Sequence, residues 1–472
     1  MSPPFPLLGR VRCVTAIAAL LTIAATGFLP VTAARAGGYR FTNIADTTDG
    51  YTNIGAPSIN DLGVVVFGAN TVDQRYVIQT WDGDNIFTLY DEEKFSSFFV
   101  LNRRATINNA GTVAFFGRVN DSRGIFTGDG GPLTNIANAD SGPLSGAGFG
   151  LVSSLNNSDS VALHGWFPAD ESNGIFVADG GPVATIARAK VADEQYLIPA
   201  LNDFGEVACA AYRGYPGDHG FVFYDDGTRR TTLLESRNAG LGEVVVMNNL
   251  GQVVVVIDQF VGRDTISTLS IVSSEGVTRL ADSDGAFAGF FASFSHSGIN
   301  DHGDVAFHAT LDDGRDGIFT GPDVASNRVI VEGDTPLFGV PIEDIFFAGA
   351  LNESGQIAFQ YTLITGIRGI AMATPILDVP GDTNGDGLVD VNDLNNVRNF
   401  FGAMGPDDGT LDGDAYPFDG LVNIDDLNAV RNNFGAEGAA VPEPGNLLAM
   451  VVGYALLGFV NLRRRNCPGS RT

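Results

Sequence analysis

Short runs of alternating and clustered apolar residues, each closed by turn residues, fill the body of the chain and recur in step. An Asn-x-x-Gly turn followed by a β-type run opens at Asn60 (Asn60-Asp61-Leu62-Gly63-Val64-Val65-Val66-Phe67). It returns at Asn108, Asn156, Asn202, Asn248, Asn300 and Asn352, with Asp159 in the glycine position of the third copy. Successive asparagines stand 48, 48, 46, 46, 52 and 52 residues apart. That period suits a propeller blade and is too long for hexapeptide or leucine-rich solenoids. Within each period a second hairpin recurs, as in Gly124-Ile125-Phe126-Thr127 and Leu133-Thr134-Asn135-Ile136-Ala137, joined through Asp129-Gly130-Gly131. Two β runs linked in this way make a hairpin. A further apolar stretch precedes each asparagine, for example residues 149–155 and 244–247, so four strands are available per period, the content of one blade.

The two ends of the array complement each other. Residues 39–46 read like the second strand of that hairpin without its first, and residues 369–373 read like the first without its second. Joined, they complete a seventh blade and close a ring. The expected fold is therefore an all-β seven-bladed β-propeller over residues 37–376, with Phe41 and Ile370 in one sheet. A β-solenoid or a pair of sandwiches is the alternative. The repeated asparagine is expected to be structural, because its short amide holds a tight turn and tolerates left-handed φ.

Beyond residue 376 the pattern changes. Residues 382–393 read Asp-Thr-Asn-Gly-Asp-Gly-Leu-Val-Asp-Val-Asn-Asp. Loop positions 1, 3, 5, 9 and 12 are Asp382, Asn384, Asp386, Asp390 and Asp393, all hard oxygen donors. Gly387 at position 6 permits a sharp turn, and Leu388 at position 7 offers its carbonyl, which makes a calcium loop. Leu394, Val397 and Phe400 or Phe401 follow at helical spacing before Gly402. The segment from Val422 to Gly435 repeats the one from Val389 to Gly402. Its loop is less complete: counting back from Asp426 places Ala415 and Pro417 at positions 1 and 3. One inserted residue restores Asp414 as first ligand. The segment then either binds calcium through Asp414, Asp419, Asn423 and Asp426 or packs Tyr416 and Phe418.

No entering helix precedes the first loop, and position 12 is aspartate where an EF-hand has glutamate. With the duplication, these features resemble a type I dockerin, here residues 377–438. The resemblance implies a cohesin-like partner facing Val391, Asn392, Ile424 and Asp425, near loop positions 10 and 11. It also implies that Val389 and Val422, at position 8, bridge the paired loops through short β contacts. The Ser-Thr pair of well-known cellulosomal dockerins is missing, which puts a cellulosome partner in doubt.

The termini carry targeting patterns. Arg10 and Arg12, an apolar run from Val14 to Leu29, and Ala34-Arg35-Ala36 fit a signal peptide over residues 1–36. Residues 439–472 hold Val441-Pro442-Glu443-Pro444, an apolar stretch from Leu447 to Leu462, and Arg463-Arg464-Arg465. As a helix that stretch spans about 24 Å, slightly short for a permanent transmembrane segment. The arginines would hold the end in the cytoplasm. The three parts resemble the PEP-CTERM sorting signal of Gram-negative bacteria, which implies processing by an exosortase, a transient inner-membrane anchor and delivery to the outer surface or extracellular matrix. Membrane contact is expected through this tail only. The Asn-x-x-Gly repeats resemble those of exported bacterial proteins of unassigned activity.

Composition removes some function classes. In 472 residues the formal charge is −28 and the lysines are Lys94 and Lys190, so no nucleic-acid partner is expected. Cys209 is the only cysteine between the two terminal segments, which excludes an internal disulfide there. His296, His302 and His308 are evenly spaced, yet no HExxH or CxxC accompanies them, and core or surface positions are the expectation. No Gly-x-Ser-x-Gly elbow is present, and no sialidase-type Ser-x-Asp-x-Gly-x-x-Trp box. A glycosidase would use two carboxylates, and among 55 acidic residues the sequence selects no pair. The expected function is that of an exported, non-catalytic binding or scaffold protein with a calcium-stabilised connector. The alternative is a secreted polysaccharide-acting enzyme, a glycoside hydrolase or lyase on a propeller.

Overall fold

Runs such as Val65-Val66-Phe67 are fully buried along consecutive residues, so both faces of their sheet are covered. A propeller does this by stacking blades face to face. In a computed structural model, which describes residues 38–92, 98–100, 104–149, 154–213, 219–237, 239–261, 264–290, 296–333, 336–376, 379–383, 389–405, 411–415 and 418–436, the chain forms seven antiparallel blades. Blade 1 shows the pattern. Tyr51–Ile54 and Ser58–Ile59 form a broken inner strand, followed outward by Val65–Thr71, Tyr76–Trp81 and Ile86–Asp91. Pro57, which cannot donate to a ladder, stands in the break. The outer hairpin carries a β-bulge, between Ile78 and Gln79 here, and at the matching place in blades 2 to 6. Such bulges increase local twist.

Seven apolar clusters hold the blades, one at each interface between neighbours. Phe67, Phe115, Phe307 and Phe359, at the apolar end of the repeat motif, are all fully buried. Burying one such side chain contributes about 1.5–3 kcal/mol. Cys209 occupies the corresponding place in blade 4, where burial pushes its thiol up to about 12, so it is an inert core residue.

The ring closes as the chain ends predict. Tyr39–Asp46 pairs antiparallel with Arg368–Pro375, and Phe41 and Ile370 share that sheet, the latter opposite Ala45. Blade 7 thus takes its outer strand from the start of the array and its other three from the end. Ile44, Ala45, Ile370 and Met372 then pack with Tyr51 and Phe67 of blade 1.

After the propeller come two short helices, α1 (Val391–Phe400) and α2 (Ile424–Asn433). They pack through Val389, Val397, Val422, Val430 and Val379. Among the described residues no helix is long and apolar enough to cross a membrane. The segments expected to be a signal peptide (residues 1–36) and a sorting signal (residues 439–472) lie outside the described residues.

Candidate functional site

The repeated asparagines gather at one end of the central channel, each at the turn between a blade's inner strand and the next strand out. Asn156 illustrates their work: its Oδ1 accepts from Ser158 N (3.0 Å) and Ser160 N (2.9 Å), which fixes the turn. Its Nδ2 donates to Asn202 O in the next blade at 3.0 Å. The same donation links blades 1 to 2, 2 to 3, 5 to 6 and 6 to 7, and Asn352 Nδ2 returns to Asn60 O at 3.1 Å. These buried side chains are therefore structural, as the sequence suggests. In six turns the fourth residue is glycine at φ between 71 and 84°, and in the third it is Asp159 at φ 62°. Left-handed φ is unfavourable for a residue with a Cβ. Asp159 Oδ1 compensates by accepting from Asn108 Nδ2 at 2.8 Å. Asn156→Ala orphans two amides and one carbonyl; it is expected to cost about 3 kcal/mol, measured as a lowered urea midpoint.

A second ring is built by the residue after each asparagine. Asp61, Asn109, Asn157, Asp203, Asn249, Asp301 and Glu353 each donate their backbone N–H to the side-chain oxygen of the next, closing from Glu353 N to Asp61 Oδ1, at 2.7–3.2 Å throughout. Together the two rings frame a polar cavity of about 180 Å³ at the channel mouth. The sequence shows the repeat but not this ring, because the position after asparagine varies among Asp, Asn and Glu.

Further in, Arg104 extends from blade 2 and donates from Nη2 to Ala348 O of blade 7 at 2.9 Å. It lines a cavity of about 80 Å³ with Ser58 and Thr106. Desolvation lowers its pKa to about 10. Nearby, the structure brings together His296 and His308, with Nδ1 atoms 3.5 Å apart, and leaves His302 on its turn against Glu353. His308 lies within the strand Val305–Leu311. Burial drives His296 down to about 4 and His308 down to about 3, and the adjacent His296 adds to the latter. His164 is likewise lowered to about 4 by burial. His296 and His308 are thus buried and neutral, and His164 is half-buried and neutral.

Toward the other end of the inner strands, between blades 7 and 1, a cavity of about 230 Å³ is lined by Asn53, Asp344, Phe346, Gln360, Thr362 and Arg368, among others. Desolvation, reinforced by Asp316 and Glu343, pushes the Asp344 carboxyl up. Glu332 is raised as well, by desolvation first and then by Asp316 and Asp344.

The two halves of the C-terminal module share one construction. Asp393 Oδ1 accepts from Thr383 N and Oδ2 from Asp390 N; Asp426 Oδ1 accepts from Ala415 N and Oδ2 from Asn423 N, all at 2.7–2.8 Å. Asp390 and Asn423 are the helix N-caps, and Asp393 and Asp426 complete capping boxes. Thr383 and Ala415 are thus equivalent, which puts Asp414 in the second loop where Asp382 stands in the first. Both are buried, as are Asp393 and Asp426. Asp414 accepts from Gly420 N (2.8 Å) and Asp419 N (3.3 Å). Asn384, Asp386 and Leu388 lie outside the described residues, as do Tyr416 and Pro417. Among the described residues no three His, Cys, Asp or Glu side chains converge at metal-binding spacing. Val391, Asn392, Ile424 and Asp425 are exposed at the two helix starts.

One expectation is corrected. Val389 and Val422 do not bridge each other. Val389 exchanges backbone hydrogen bonds with Gly435 and Ala436, and Val422 with Gly402 and Ala403, so each valine is tied to the segment beyond the other repeat's helix. The reason is the turn after each helix, where Gly402 (φ 86°) and Gly435 (φ 85°) redirect the chain across the module.

No family model matches the chain, and no curated protein matches it. Among solved structures it is similar to an oligogalacturonate lyase in complex with manganese, with TM-score 0.45 and 12% identity over 72% of this chain and 96% of that one. It is also similar to a Mycobacterium tuberculosis puromycin-hydrolyzing peptidase, with TM-score 0.45 and 15% identity over 66% of this chain. The match spans 49% of that peptidase. Likeness at these scores gives no ground for carrying over an activity.

Proposed function

We propose that the protein is an exported, non-catalytic binding or scaffold protein. A propeller presents ligand-binding surface, and a dockerin-like module, stiffened by calcium, connects it to a partner. The observation that carries this reading is the duplicated, buried aspartate geometry of the module. Their backbone amide partners lower the cost of burying these carboxylates but leave their negative charge in place, and a calcium ion at each loop base would neutralise it. The donors are hard oxygens, the set that suits calcium. Asp382, Asn384, Asp386, the Leu388 carbonyl, Asp390 and Asp393 would hold the first ion. Asp414, Asp419, Asn423 and Asp426 are the candidates for the second.

In this reading Val391, Asn392, Ile424 and Asp425 face a cohesin-like domain, and their exposure supports it. Residues 1–36 direct export. Residues 439–472 form the exosortase signal and leave the mature protein at the outer surface or in the extracellular matrix.

The polysaccharide-acting alternative draws support from Asp344, a carboxylate of raised pKa beside a cavity, the state a general acid requires. A polysaccharide panel, run with wild type and Asp344→Asn, separates the readings. Calcium-dependent capture of a cohesin-type partner with glycan binding and no cleavage is expected. Turnover that falls at least a hundredfold in Asp344→Asn would overturn the non-catalytic reading; a general acid contributes about that much.

A further inference from the structure

The second ring at the channel mouth is uneven, and the unevenness falls where the blade ring closes. In blades 1 to 6 each carboxylate of the ring is served twice. One oxygen takes a backbone N–H from the preceding blade, and the other takes the side-chain amide of an asparagine. Asn109 Nδ2 donates to Asp61 Oδ2 (2.6 Å), and Asn157 Nδ2 to Asp203 Oδ2 (2.8 Å). Asn249 Nδ2 donates to both Asp203 Oδ2 (3.0 Å) and Asp301 Oδ2 (2.8 Å). Around the closure the order is Asp301, Glu353, Asp61, three acidic side chains in succession with no amide between them.

Glu353 Oε1 takes Asp301 N at 2.8 Å, and its Oε2 meets His302 Nδ1 at 3.1 Å. That oxygen is buried and accepts no hydrogen bond, because the imidazole lies within reach but outside bonding geometry. The groups that face Glu353 are Asp301, Asp304 and His302 from blade 6 and Asp61 from blade 1. Three of those four are acids.

We propose that Glu353 is a proton-dependent clasp on the closing step of the propeller, in which a proton on its second carboxylate oxygen does the work that asparagine amides do elsewhere in the ring. Losing it leaves adjacent carboxylates facing one another where blades 6, 7 and 1 meet. Burial, then repulsion from Asp301, Asp61 and Asp304, pushes the Glu353 carboxyl up to about 7 from its usual 4.5. The sign follows from linkage. A carboxyl whose folded pKa is raised binds its proton more tightly when folded, so its contribution is full below the unfolded value and is lost as pH rises through the folded one.

The test uses the full chain, wild type and Glu353→Gln, unfolded in urea from pH 5 to pH 8. Glutamine supplies a permanent amide and is expected to gain relative to wild type as pH rises. The ratio of folding constants, variant over wild type, should increase about tenfold across that range, less than the full shift implies because Glu353 is partly exposed. Taking the ratio cancels the buried histidines, which lower stability in both proteins below about pH 6.5. His302→Asn, which leaves Glu353 in place and provides an amide donor, should flatten the wild-type pH dependence and decides the matter if Glu353→Gln fails to fold. A ratio that stays constant from pH 5 to 8, or a His302→Asn slope equal to wild type, would overturn the clasp.

Discussion

Deleting residues 39–46 is expected to abolish cooperative folding of the whole blade array. Tyr39–Asp46 supplies the outer strand of blade 7, paired along its length with Arg368–Pro375. Without it, Arg368–Pro375 becomes an unpaired edge, and Ile44 and Ala45 leave the cluster between blades 7 and 1. Tyr361 OH also loses Asn43 Oδ1, its acceptor at 2.8 Å. Ladder hydrogen bonds at about 1 kcal/mol each and buried side chains at about 1.5–3 kcal/mol each put the loss above about 5 kcal/mol, comparable with the total stability of a domain. Urea denaturation should show a broad, non-cooperative transition, and the exposed core should bind hydrophobic dye. A midpoint within experimental error of wild type would show that the ring does not depend on this strand.

Asp393→Ala and Asp426→Ala are expected to have the next largest effects. Each aspartate is buried, and each ties the start of its loop to the helix N-cap through two backbone amides. Removing the carboxylate leaves those amides unserved, about 3 kcal/mol or more, in a module whose core is largely five valines. So small a core has little stability to lose. Hydrogen exchange in α1 and α2 should approach the unfolded rate in either variant, while the propeller strands keep their protection. Asn399→Ala, on the exposed side of α1, should leave exchange unchanged. Full protection of both helices in Asp393→Ala would refute this role.

The legible part of this fold is the part that repeats. Asn60, Asn108 and their counterparts mark each blade because one side chain must serve two turn amides and, in every blade but the fourth, reach the next blade, a task that asparagine's amide performs. Closure was legible for the same reason: residues 39–46 and 369–373 are the two halves of one repeated hairpin. The second ring was hidden because its geometry needs only an acceptor oxygen, which Asp61, Asn109 and Glu353 all provide. The bulge in each outer hairpin leaves no mark in a two-residue period. Val389 and Val422 were assigned the wrong partners because pairing depends on where Gly402 and Gly435 send the chain, and spacing alone does not encode that. Arg104 and Ala348 are separated by most of the sequence and meet only because the ring closes.

The proposed connector depends on calcium, because the loop carboxylates, beyond tying loop to helix cap, would hold the ion that stiffens the module. Calorimetric titration of the full chain with calcium, wild type against the double variant Asp382→Ala/Asp386→Ala, tests this most directly. Wild type is expected to bind calcium saturably and to gain exchange protection of α1 on binding, while the variant binds at least tenfold more weakly and gains none. Equal affinities in the two proteins, or binding that leaves α1 exchange unchanged, would contradict this.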